Sequence, residues 1–237
     1  MSDASVTPSE NHDPQASPTG DYSPAYRRFV LVMLTIVYGF NFIDRQILVI
    51  LQEPIKQEMG LSDAQLGLLS GFTFAVIYVT AGIPIAYLAD RSNRRNIIAL
   101  ALTVWSGMTA LSGLAQNYAQ LLLARIGVGL GEAGGSPPAH SMISDYFPPE
   151  RRATALSFYS TGIYVGVLMG YAFGGLLAAT FGWRTAFLVV GLPGIALAAL
   201  LLLLVREPRR GRWDGNGGVP EQASLAETLA LLRHRRS

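Results

Sequence analysis

Four ionisable side chains stand inside otherwise apolar runs: Asp44 and Arg45 in NFIDRQIL, and Arg125 and Glu132 in LLLARIGVGLGEAGGS. Arg125 and Glu132 are seven positions apart, two turns of helix, so they share one face about 10 Å apart along the axis. A charge at membrane depth costs roughly 2.5–3.5 kcal/mol, and such groups mark an ion or substrate path or a structural ion pair that fixes helix register. A carboxylate binds or loses a proton according to its burial and its distance from a guanidinium. Asp44 and Glu132 are therefore expected to titrate, and Arg45 and Arg125 to hold an anionic group, for which the planar guanidinium fork is suited. Asn41, one turn before Arg45, is placed with the binding groups. On a different face, Gly127, Gly131 and Gly135 form a small-xxx-small stripe where a second helix can approach.

The rest of the 237-residue chain must carry these groups through a bilayer. Half the residues are hydrophobic, 14% are charged, and the mean hydropathy is +0.33, the profile of an all-α membrane protein. There is no cysteine, so neither a disulfide nor a cysteine-ligated metal is available. A pI near 9.0 could suggest nucleic acid, but the basic residues fall in short clusters between apolar runs, as topology signals do. No metal cluster, cofactor fingerprint, Gly-x-Ser-x-Gly elbow or His-rich motif is legible, so neither an enzyme nor a cofactor is expected.

Six spans are expected, at about 29–51, 64–89, 96–115, 118–144, 154–179 and 185–205. Pro54 should stop the first and Ser62 cap the second. Pro84 should bend the second near its end, Pro137 and Pro138 should break or kink the later half of the fourth, and Gly191, Pro193 and Gly194 should loosen the start of the sixth. Counted inward from the outer ends, Asp44, Arg45 and Arg125 lie roughly 10–14 Å deep and Glu132 about two turns deeper, so Asp44 and Arg125 can pair at one level.

Arg27, Arg28, Arg91, Arg94, Arg95, Arg151, Arg152, Arg206, Arg209, Arg210 and Arg212 fall on one side, against Lys56 and Arg184 on the other. The positive-inside rule then puts both termini in the cytoplasm. Residues 1–24, rich in Ser, Pro and Asp, are expected to be a disordered tail, 25–206 the six-helix unit, and 207–237 a linker. Within the linker, Ser224 and Glu227 could open a short amphipathic helix carrying Leu225, Leu229 and Leu232, with Arg233, Arg235 and Arg236 near its end. His140 is expected at a helix end rather than in a proton relay. Tyr38, Tyr78, Tyr164 and Tyr171 are expected to pack, sit at the interface or line a cavity.

Four motifs in order carry a resemblance. AYLADRSNRR at 86–95 is similar to the major facilitator superfamily loop G-x-L-A-D-R-x-G-R-R. Leu121, Arg125, Gly129, Gly131 and Ala133 match its fourth-span motif, with Val128 in place of Gln and Glu132 in place of a small residue. PPERRATA and FGWRTAF resemble the loops around the fifth span. Asn93 replaces a loop glycine and is expected to accept the left-handed backbone of a tight loop.

Gly166, Gly170, Gly174 and Gly175 resemble the antiporter motif, with Tyr171 in place of its proline; the glycines also suit close helix packing. DRSNRR, NFIDR and GVGLGEA together resemble the Spinster-like branch, whose eukaryotic members are associated with lysolipid and sphingolipid export.

The resemblance implies one half of a major facilitator fold, six transmembrane helices as 3+3 inverted repeats, in the bacterial inner membrane. A second six-span half is its implied partner, with the lipid bilayer, protons and a small organic or lipid-like substrate as the others and no nucleic acid. The function it implies is proton-coupled secondary transport of an amphipathic or organic anion by alternating access. The alternatives are a carboxylate or sugar-acid proton symporter, or a six-span partner subunit that does not itself transport. Asp90, Arg91, Arg94, Arg95, Arg151 and Arg152 are the implied cytoplasmic gate.

Overall fold

The structure, a computed structural model, describes residues 22–213. Residues 1–21 of the tail expected at 1–24, and the amphipathic helix expected from Ser224, lie outside the described residues, while Ser23 and Pro24 cap and begin α1. Every described element is helical: α1 Pro24–Met59, α2 Asp63–Gly67, a π-helical turn Leu68–Phe72, α3 Thr73–Arg91, α4 Arg94–Ser112, α5 Tyr118–Glu132, α6 Ser136–Tyr146 and α7 Pro149–Leu204. Three stretches, Pro24–Met59, Asp63–Arg91 and Pro149–Leu204, are long and apolar enough to cross a membrane.

The third of these supplies two crossings. Gly182 interrupts α7 with φ 79° and ψ 163°, a conformation open to glycine because it has no Cβ. The two ends of α7 lie beside the start of α1: the Tyr26 hydroxyl donates to Leu204 O at 3.0 Å, and Pro148 shares a cavity with Arg28. The turn at Gly182 meets the other end of α1 instead, where Trp183 donates to Glu58 Oε2 at 2.5 Å. The chain therefore doubles back at Gly182. With α4 and the broken pair α5–α6, this makes six passes.

Several helix boundaries differ from the sequence reading. Pro54 does not stop the first span; α1 runs on to Met59 and ends at Gly60, φ 65°. Leu51 and Ile55, fully buried on either side of the proline, hold that turn in place. Ser62 caps α2 in a full capping box with Gln65. Pro84 sits inside α3 without interrupting it, and the irregular turn lies earlier, at Leu68–Phe72.

The fourth span breaks at 133–135, ahead of the proline pair, through short bonds from Gly134 N to Gly131 O and Gly135 N to Glu132 O. Its prolines then occupy the first turn of α6, where a missing N–H is harmless. Asn93 is not left-handed: with φ −68° and ψ 110° its side chain caps α4 by accepting from Asn96 N.

Glycines set the helix spacing. A Cβ on Gly162 would lie 2.6 Å from Thr35 O, and one on Gly170 would lie 2.8 Å from Gln46 Cβ; Gly166 and Gly174 abut α1 in the same way. Gly175 meets nothing, so the packing stripe is 162, 166, 170 and 174. Gly131 likewise admits Trp105 of α4, and Gly127 meets Met108. Gly191 and Gly194 do not loosen the sixth span; they let its helix close on Ser106 and Ala110 of α4. Two apolar clusters fill the bundle, one around Trp105, Tyr146 and Tyr159 and one around Ile47, Trp183 and Phe187.

Candidate functional site

Asp44, Arg45 and Asn41 on α1 converge with Arg125 and Glu132 on α5. Asp44, Arg125 and Glu132 are at most 3% exposed, and Asn41 is buried beside Glu132. The ion pair is not between Asp44 and Arg125. Arg45 Nε donates to Glu132 Oε2 at 2.6 Å. Both oxygens of Asp44, Oε1 of Glu132, and Nε and Nη1 of Arg125 have no hydrogen-bond partner within the protein. Asp44 interacts with Arg125 and Glu132 through space, and Thr109 of α4 lies alongside it. Asp44 is fully buried beside Arg125, Glu132 and Thr109, while partly exposed Arg45 reaches Glu132 on α5.

This arrangement has a specific chemical consequence. A buried carboxylate with no hydrogen-bond partner is costly as an anion, and Asp44 lies next to two other buried ionisable groups, Arg125 and Glu132. Arg45 is the half-exposed member of the group. Its guanidinium lies 5.1 Å from the Phe42 ring centroid, 4.9 Å from Phe74 and 5.2 Å from Tyr78.

The aromatic surface continues from Phe42 to Tyr38, which stacks on Tyr159 at 4.4 Å, and from Tyr159 to His140 at 5.3 Å. His140 therefore joins this stripe rather than merely ending a helix. Tyr38 and Tyr78 belong to it too, while Tyr164 and Tyr171 face outward at 76% and 53% exposure. Spacing could not show the stripe, because its residues come from four separate helices.

The arginine-rich loops gather at one end of the bundle. Arg94, 2% exposed, donates to Asp145 at 2.5 Å, Glu207 at 2.7 Å, Ser141 at 2.8 Å and Pro208 O at 3.1 Å. Arg95 N donates to Glu207 Oε2 at 2.9 Å. Arg210 donates to Ala89 O and Ser92 O, and Trp213 donates to Asp145 O.

Of the six gate residues, Arg94 and Arg95 are thus tied down within this unit, Arg91 stacks on Tyr87 at 3.5 Å and Arg152 donates to Ser144 O. Arg151 lines a separate cavity with Arg27 and Arg28. The acids that organise this end, Asp145 and Glu207, were missed from sequence; the signal was an acidic residue next to each of two arginine clusters, Asp145 ahead of Arg151 and Arg152 and Glu207 beside Arg206.

A profile of the Major Facilitator Superfamily matches residues 34–237, and the chain belongs to that superfamily. The crystal structure of a bacterial homolog to the human lysosomal transporter Spinster, inward-facing and occupied, superimposes with a TM-score of 0.79 at 44% identity, covering 82% of this chain and 48% of that one. An MFS-type efflux pump of Mycolicibacterium smegmatis is 40% identical over 173 residues, 73% of this chain and 40% of the relative. A protein described as a "Probable L-galactonate transporter" of Escherichia coli is 31% identical over 208 residues, 86% of this chain and 46% of the relative. The fold is thus half of a major facilitator fold, related to Spinster and to sugar-acid transporters. The chain spans 40–48% of the length of these relatives.

Proposed function

We propose that this chain forms one half of a proton-coupled secondary transporter that carries an amphipathic organic anion, lysolipid-like in character, by alternating access. The observation that carries the proposal is the buried Asp44, Arg125 and Glu132 group, with partly exposed Arg45 at its edge and an aromatic stripe leading away from it. Arg45 is the hinge of the mechanism. Paired with Glu132 it neutralises that carboxylate; drawn towards an incoming anion it releases Glu132, which then takes a proton. Asp44 and Arg125, deeper in the bundle, pass charge between the two states. The aromatic rings beside Arg45 hold an apolar tail and strengthen its hold on an anionic head group.

The second six-helix unit lies either further along the same polypeptide or in a separate chain, and the substrate binds between the two. In this reading the membrane is a bacterial inner membrane, and the positive-inside rule supports a cytoplasmic side for the arginine-rich end. Likeness to the L-galactonate protein favours a second reading in which the anion is a sugar acid.

Proteoliposomes under an imposed pH gradient test the proposal, with labelled lysophosphatidylglycerol and galactonate as probes. Glu132→Gln should abolish gradient-driven flux at least about tenfold while leaving exchange at equal pH measurable. Undiminished gradient-driven flux in that variant would overturn the carboxylate assignment.

A further inference from the structure

We propose a binding site for the phosphate of an anionic phospholipid where the start of α1 meets the start of α7, independent of the transport reading. A cavity of about 270 Å³ there is lined by Pro24, Arg27, Arg28, Phe147, Pro148 and Arg151. Three of the six lining residues are arginines and none is acidic.

Arg28 and Arg151 are exposed and form no ion pair among the described residues. Arg27 is held in place, donating Nε to Tyr22 O at 3.1 Å. The guanidinium fork matches a phosphodiester. Both helices also present their N-termini here, with prolines in the first turn, and the partial positive charge of a helix N-terminus favours an anion.

The source of the phosphate follows from what lies next to the cavity. Phe29, Val32 and Ile36 on α1 and Phe158 on α7 are 38–46% exposed and apolar, so the lipid-contacting surface begins within a turn or two of the arginines. A ligand with its head in the cavity would lay its acyl chains along those side chains. Basic pockets at a bilayer boundary bind anionic lipid head groups by this division of labour.

The test uses the purified protein in phosphatidylcholine nanodiscs with and without phosphatidylglycerol, read by thermal melting and by native mass spectrometry of retained lipid. The wild-type protein should melt higher with phosphatidylglycerol and retain it. Arg28→Gln with Arg151→Gln should lose at least about tenfold in retention, since each basic side chain near an anionic surface contributes substantially. Arg206→Gln with Arg209→Gln removes the same charge from the same end of the bundle and should retain the lipid.

Equal loss in both double variants would show diffuse attraction and overturn the site, as would full retention in the first. Stabilisation by soluble glycerol 1-phosphate equal to that by the lipid would overturn the lipid assignment.

Discussion

Arg125 is 3% exposed, and two of its guanidinium nitrogens lack a hydrogen-bond partner. Arg125→Lys keeps the charge but replaces a planar fork with a point. Transport by the reconstituted protein should fall about tenfold or more in that variant, and kinetics matching wild type would mean that charge alone matters. The types of the site residues were legible in the sequence, because any ionisable group inside an apolar run stands out. Their pairing was not. Depth counted along two helices put Asp44 level with Arg125, but reach and side-chain direction decide contact, and these give Glu132 to Arg45.

At the scale of elements, the spans were legible from hydropathy and their joints only partly so. The prolines suggested a stop at Pro54, a bend at Pro84 and a loosened start of the sixth span at Pro193, and each of these lies inside a continuous helix. The real breaks are at Gly182 and at 133–135. Glycine spacing proved more informative about packing.

The stripe 162, 166, 170 and 174 lets α7 touch the α1 backbone, where a side chain on Gly166 would run into Gly39. Gly166→Val should therefore lower stability by about 1–3 kcal/mol through overpacking, read as a reduced melting temperature in detergent. Gly175→Val, at an open position one residue beyond the stripe, should leave it unchanged. Equal melting of the two variants would show that this contact does not set the spacing.

At the scale of the whole molecule, the bundle is tied at both ends by charge. At the arginine-rich end, Arg94 joins α4, α6 and the chain after α7. At the opposite end, Glu58 accepts from Arg184 and from Trp183, linking α1 to the turn at Gly182. Donation from Arg184, then from Trp183, holds the Glu58 carboxyl below its ordinary value of 4.5.

A carboxylate lowered in the folded state stabilises that state above its unfolded pKa, and the contribution is lost as pH falls through the folded value. Melting temperature should therefore drop as pH falls below about 4.5, and Glu58→Gln should flatten part of that drop. An identical pH profile in the variant would show that Glu58 contributes nothing to the acid dependence. The half-fold itself was legible from four motifs in order, whereas the aromatic stripe and the Asp145–Arg94–Glu207 clamp needed helices distant in sequence to be brought side by side.

The coupling proposed for this protein is that an anion drawing Arg45 away from Glu132 brings about proton uptake at Glu132 and Asp44. Its most direct measurement is calorimetric titration of the purified protein with lysophosphatidylglycerol in buffers of different ionisation enthalpy, which counts protons exchanged on binding. The wild-type protein should take up about one proton per anion bound, and Asp44→Asn with Glu132→Gln none. Binding without proton exchange in the wild type, or undiminished exchange in the double variant, would contradict it.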